Sequence, residues 1–70
     1  MENFTLKAGE EYIELKNLIK LLGWVDTGGE ATARIDNQEI NVNGAIETQR
    51  RKKVRSGDIV TFGKLQAQVS

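Results

Sequence analysis

Residues 27–44 read TGGEATARIDNQEINVNG, from Thr27 to Gly44. Thr27 and Glu30 stand three apart, the spacing of a capping box. The Thr hydroxyl accepts from the N3 amide while the Glu carboxylate reaches back to the N-cap amide. The spacing predicts a helix over 28–36, with Ala31 and Ile35 one turn apart on its core side. Asn37 tolerates the left-handed conformation that ends helices and is the expected stop. Ile40 and Val42 then alternate with Asn41 and Asn43, as in a strand with one buried face, and Asn43-Gly44 is a strong signal for a tight turn between strands.

Upstream, Tyr12, Leu15, Leu18, Ile19 and Leu22 follow the i, i+3, i+4, i+7 spacing of one helical face, which predicts a first helix over 10–22 ended by Gly23. Glu10, Glu11 and Glu14 fall near its start and Lys16 and Lys20 nearer its end, as the helix dipole favours. Lys16 and Lys20 share a face turned away from the apolar stripe. Ile13 and Leu21 lie off that stripe, so more than one side should be covered. Downstream, Ile46 resumes a strand. Ser56-Gly57-Asp58 makes a turn before Ile59-Val60-Thr61-Phe62, and Gly63-Lys64 joins that run to alternating Leu65, Ala67 and Val69 as a hairpin. Phe4 and Leu6 suggest one more strand at the N-terminus. The expected fold is therefore a single α+β domain over 1–70, with two helices packed on one face of a small, mostly antiparallel sheet of four to five short strands.

The 70 residues include no His, Cys or Pro. A Ser-His-Asp triad lacks its imidazole, a thiol nucleophile is absent, and zinc has neither of its preferred ligands. A chain of this length has a thin core and no room for a deep substrate cavity. Function is expected on a surface, without catalysis, cofactor or metal. No apolar run reaches the length of a membrane span and no signal-peptide pattern opens the chain, so a cytoplasmic protein without membrane contact is expected.

Ten Lys/Arg balance ten Asp/Glu, which at first argues against a nucleic-acid partner. Mapping the charge reverses that. Residues 1–49 hold nine acids and four bases, a net of −5, and residues 50–70 hold six bases and one acid, a net of +5. Most of that excess lies in Arg50, Arg51, Lys52, Lys53 and Arg55. In an extended segment alternate residues face opposite ways, placing Arg51, Lys53 and Arg55 in one row and Arg50 and Lys52 in the other. Glu47 is the nearest counter-charge in sequence. The ordinary reading of such a run is an edge kept soluble by charge. The functional one is phosphate binding, to which Arg brings a planar fork that can also stack on unpaired bases.

The combination of Thr27-Gly28-Gly29, Ala31, Ile35, Ile40-Asn41-Val42-Asn43-Gly44, the basic cluster and Ser56-Gly57-Asp58-Ile59-Val60 resembles the alpha-L RNA-binding motif. This is the fold named after small-subunit ribosomal protein four. The likeness runs from Glu14 to Phe62 and is greatest to stand-alone bacterial proteins of similar length. It implies a non-catalytic domain that binds RNA against its helices and the neighbouring strand-loop edge. A monomer that binds structured RNA, with ribosomal RNA among the candidates, is expected. The residues expected at that surface are Arg50, Arg51, Lys52, Lys53, Arg55, Lys20, Thr27, Gly28, Gly29, Thr32, Arg34 and Asn43.

The family usually carries a basic residue where this chain has Thr32. Arg34 lies two positions on, about 200° around the helix, and would not simply replace it. The usual Gly before the following strand is here Gln38, with Asn37 beside it as the expected left-handed residue. Gly28 and Gly29 can present amides to a phosphate, although the Glu30 carboxylate would compete for them. Trp24, Tyr12 and Phe62 read as core or core-rim residues rather than a stacking platform. Asn43 is first a turn residue.

Other readings fit less well. A protein-interaction module could dock the same basic edge on an acidic partner. A β-grasp sulfur carrier would end in Gly-Gly, whereas this chain ends Ala67-Gln68-Val69-Ser70. A helix-turn-helix DNA reader would have only Arg34 as a basic side chain on its second helix.

Overall fold

The computed structural model describes all 70 residues. The elements are β1 (Glu2–Phe4), β2 (Ile13–Glu14), α1 (Leu15–Leu21), α2 (Gly28–Asp36), β3 (Ile40–Val42), β4 (Ala45–Ile46), β5 (Lys53–Val54), β6 (Ile59–Phe62) and β7 (Leu65–Val69). Five strands form one sheet in the order β1-β7-β6-β3-β4, and β2 and β5 form a separate pair. All pairings are antiparallel except β1 with β7. The sheet is thus mixed, antiparallel in its hairpins and parallel only where the two ends of the chain meet.

Register places Val42 opposite Val60 and Val60 opposite Ala67. That row joins Leu15, Leu18, Ile19, Ala31 and Ile35 of the helices among the buried residues, with Ile40, Val54 and Val69. The neighbouring row, Asn41-Thr61-Gln66, carries polar side chains on the other face. This alternation is what fixes register in a sheet with one covered side. Each fully buried Leu or Ile contributes about 1.5–3 kcal/mol by leaving water.

Helix α2 spans the expected residues. Thr27 Oγ1 accepts from the Glu30 amide at 3.1 Å. The Glu30 carboxylate, however, accepts from the Asp26 amide at 2.8 Å and not from that of Thr27.

Helix α1 is shorter than its apolar spacing predicts. Ile13 and Glu14 pair with Val54 and Lys53 instead of joining the helix. The first free N–H groups of α1 are then satisfied from far along the chain: Leu15 donates to the Lys52 carbonyl at 2.9 Å and Lys16 to that of Arg50 at 3.0 Å. Such bonds replace a side-chain cap, which Glu14 does not provide. Glu10 and Glu11 consequently lie outside the helix, and Tyr12 belongs to the loop before β2. Leu21 is exposed, so the helix is not covered on that side.

Both helices end in Schellman motifs. After α1 the Trp24 amide donates to Ile19 O and Gly23 to Lys20 O, with Gly23 at φ 77°. After α2 the Glu39 amide donates to Arg34 O and Gln38 to Ile35 O. The left-handed position here is Gln38, at φ 63°, whereas Asn37 keeps φ −81°. The motif demands positive φ one residue past the C-cap; Asn37 is the C-cap itself, so the strain falls on Gln38. Asn43 and Gly44 are also left-handed, at φ 53° and 85°, as a two-residue type I′ hairpin between β3 and β4 requires.

Trp24 and Phe62 sit half-buried against the core, their rings tilted with centroids 6.4 Å apart. Trp24 Nε1 donates to Glu2 at 2.8 Å, tying β1 to the segment after α1.

Candidate functional site

The basic run does not form one extended ribbon. Leaving β4, the chain turns over 49–52, where Lys52 donates to the Gln49 carbonyl at 3.2 Å and the Glu47 carboxylate accepts from the Gln49 amide at 3.1 Å. Glu47 is therefore a turn-former and not the counter-charge of the cluster. Because the Arg50 and Lys52 carbonyls cap α1, this turn is pinned against the start of that helix.

An open cleft of about 560 Å³ lies there, lined by Lys16 of α1, Thr32 and Asp36 of α2, and Thr48, Gln49, Arg50 and Arg51. No apolar residue lines it. Arg50 grips Asp36 with both arms of its fork, at 2.9 and 3.4 Å. That hydrogen bond, reinforced by the Asp36 charge, raises the Arg50 pKa above its ordinary value. Lys16 and Arg51 make no ion pair, nor do Lys20, Lys52, Lys53 and Arg55. Lys20, one turn beyond Lys16, continues this cationic side of α1.

The same face of α2 runs from Gly28 through Thr32 to Asp36. The Gly28 and Gly29 amides make no hydrogen bond within the protein. Glu30 does not occupy them: its carboxylate is held by the Asp26 amide and by Arg34 at 3.6 Å. Thr27 is committed to its cap. Arg34 is diverted from the cleft, pairing with Glu30 and with Glu39 at 3.3 Å and lying 5.9 Å from the centre of the Phe62 ring. Its guanidinium is thus engaged by two carboxylates and a ring within the protein.

Past Lys52 the chain enters β5 and its surroundings change. Lys53 Nζ and the Arg55 guanidinium lie 5.1 and 5.7 Å from the centre of the Tyr12 ring. These two share a row, as alternate positions must, with Val54 fully buried between them. Glu14 is the cross-strand partner of Lys53. Tyr12 also borders a second open cleft, of about 510 Å³, lined by Gly9, Glu10, Glu11, Ile13, Glu14 and Asn17. The front and rear halves of the sequence, oppositely charged, are thus interleaved in space.

The Asn43 side chain is engaged within the protein. Its amide group donates to Asp58 at 2.9 Å and accepts from the Ile59 amide at 2.9 Å. Asp58 also accepts from the Arg55 amide at 2.8 Å. Partial burial pushes the Asp58 carboxyl upward, but the bonds from the Arg55 amide and Asn43, with the Lys52 and Arg55 charges, outweigh it and leave its pKa below the usual carboxylate value.

The S4 domain profile matches residues 5–70. The chain belongs to the S4 domain family. YbcJ of Escherichia coli K12 is 38% identical over 69 residues, which cover 99% of this chain and 97% of that protein. An uncharacterized YbcJ of Shigella flexneri matches to the same extent. The solution structure of Escherichia coli YbcJ, reported to contain an alpha-L motif involved in RNA binding, superposes with a TM-score of 0.75 at 36% identity, covering 99% of this chain and 86% of that one. The S4 domain likeness extends over the helices, the V-N-G turn and the G-D-x-V strand.

Lys16, Asp36, Thr48 and Gln49 join this S4 domain's cleft without having been singled out from sequence as site residues. Two signals were available. Lys16 and Lys20 form an i, i+4 pair facing away from the core, and Asp36 stands one turn from Thr32 on α2. Thr48 and Gln49 have no local signature.

Proposed function

We propose that this S4 domain is a non-catalytic RNA-binding module for structured RNA, with ribosomal RNA the first target to test. The observation that carries the reading is the cleft in which unpaired Lys16 and Arg51 converge with Thr32 and Asp36 of α2. Such a groove tracks a phosphate backbone by charge and hydrogen bonding. Its lining has no aromatic side chain, so base stacking supplies little. The likeness to YbcJ, whose motif is described as involved in RNA binding, supports the same conclusion.

With about four phosphates neutralised, log K falls with log salt at a slope near −3. Fluorescence titration of a structured RNA at several salt concentrations measures this. Saturable binding at low salt that is lost on changing Arg51 and Lys16 to Glu supports the reading. Binding that ignores those changes, or no binding, refutes it, and in that case cross-links to an acidic protein that survive nuclease treatment would identify the partner.

A further inference from the structure

The cleft contains a group that phosphate binding does not explain. Asp36 places a carboxylate among Lys16, Arg50 and Arg51, where it repels a phosphodiester. It is also the last residue of α2, and an acid at a helix C-terminus is disfavoured by the dipole. Its place serves neither the helix nor a polyanion's charge.

The geometry suits another task. Arg50 approaches both carboxylate oxygens, Nε to Oδ1 and Nη2 to Oδ2. The Asp36 carboxylate accepts no other hydrogen bond within the protein, and its side chain remains 46% exposed. Each ionised oxygen can accept more than one hydrogen bond, so lone pairs stay free in a cleft that Thr32 and Thr48 also line. The result is an oriented acceptor flanked by cations. That arrangement fits a ligand whose hydroxyl donor lies next to an anionic linkage, which describes the RNA sugar-phosphate unit and not that of DNA.

We infer that Asp36, oriented by Arg50, accepts from a ribose 2′-hydroxyl while Lys16 and Arg51 hold adjacent phosphates, making Asp36 the residue that distinguishes RNA from DNA. The inference rests on the RNA-binding reading above and adds a specificity residue to it.

The sign of a single substitution separates this from mere electrostatics. Removing a negative charge from a polyanion site ordinarily tightens binding. If Asp36 accepts from the 2′-hydroxyl, Asp36→Ala instead weakens RNA binding while DNA binding holds or tightens. The full-length chain is titrated at fixed low salt with an RNA hairpin, the DNA hairpin of the same sequence and the 2′-O-methyl RNA. The wild type should prefer RNA over the other two by about tenfold, the loss expected for one hydrogen bond to a charged group. That ratio should collapse in Asp36→Ala. Arg50→Lys, which keeps the charge but not the fork, should lower the ratio without changing the salt slope.

Equal wild-type affinity for RNA and DNA overturns the inference and leaves the RNA-binding reading intact. So does an Asp36→Ala protein that binds both more tightly to the same degree. A preference for guanine that persists on DNA overturns it too, since the carboxylate would then be reading a base edge. A wild type that binds none of the three probes refutes the underlying reading itself.

Discussion

Arg50 and Arg51 stand within five residues of Lys53 and Arg55, yet the two pairs meet different neighbours. The first pair lies on a cleft bordered by Lys16 and the hydroxyl face of α2. The second lies over Tyr12, beside Glu14 of β2 and the loop that carries Glu10 and Glu11. At physiological ionic strength charges are felt over only about 8 Å, so local neighbours decide what each cation can do. The basic run therefore spans two different electrostatic environments. Its first half adds to the positive charge of α1, and its second half is set against carboxylates and an aromatic ring.

The largest expected effect tests this contrast directly. Reversing Lys16 and Arg51 to Glu should weaken RNA binding on the order of a hundredfold at low salt and lower the salt slope by about 1.5. Reversing Lys53 and Arg55 should cost no more than about threefold, with the slope barely altered. Parallel titrations compare them, and equal losses would erase the distinction between the two halves.

Val54 lies between the halves and is fully buried. Val54→Ala should cost about 2 kcal/mol through lost burial and the cavity left behind, read as a lower urea midpoint at unchanged m. Since the residue anchors both halves, RNA affinity measured well below that midpoint should change little.

Asp58 secures the segment after Arg55. Asp58→Ala should cost about 1 kcal/mol for its lost hydrogen bonds. The folded carboxyl titrates below its unfolded value, so the stability it contributes is present above about pH 3.9 and is lost as pH falls through the folded value. Denaturation curves across acid pH should show a wild-type decline that the variant partly lacks.

Gln38 offers the smallest effect, on the side of α2 that holds Asp36. Gln38→Gly relieves a left-handed side chain and should stabilise the fold by about 0.5–1 kcal/mol, a higher thermal midpoint being the readout. RNA affinity should stay constant, because the Schellman bonds are made by the backbone.

Local physics was legible and distant pairing was not. The Thr27 cap marked the start of α2 because its atoms lie within a turn, and Asn43-Gly44 announced its hairpin for the same reason. The start of α1 misled because Tyr12, Leu15 and Leu18 carry a helical period that continues into Ile13–Glu14, where a pairing with Lys53–Val54 wins. That partner comes from beyond the whole of the α2–β4 unit, and no local window contains it. At the site, the cationic cluster was visible as composition, but its division was not. Arg50 finds Asp36 only after α2 and the 49–52 turn have docked. The diversion of Arg34 was half visible, since Glu30 precedes it by one turn; Glu39 and Phe62 required the Schellman reversal that brings β3 back beside α2.

The parallel pairing of β1 with β7 sets Glu2 opposite Ala67 and lets Leu6 donate to the Ser70 carbonyl at 2.7 Å. Both chain ends therefore leave from one border of the sheet, while β4, which leads into the cleft, forms the other. A tag or tether attached at either end therefore leaves from the sheet border opposite β4 and need not cover the cleft.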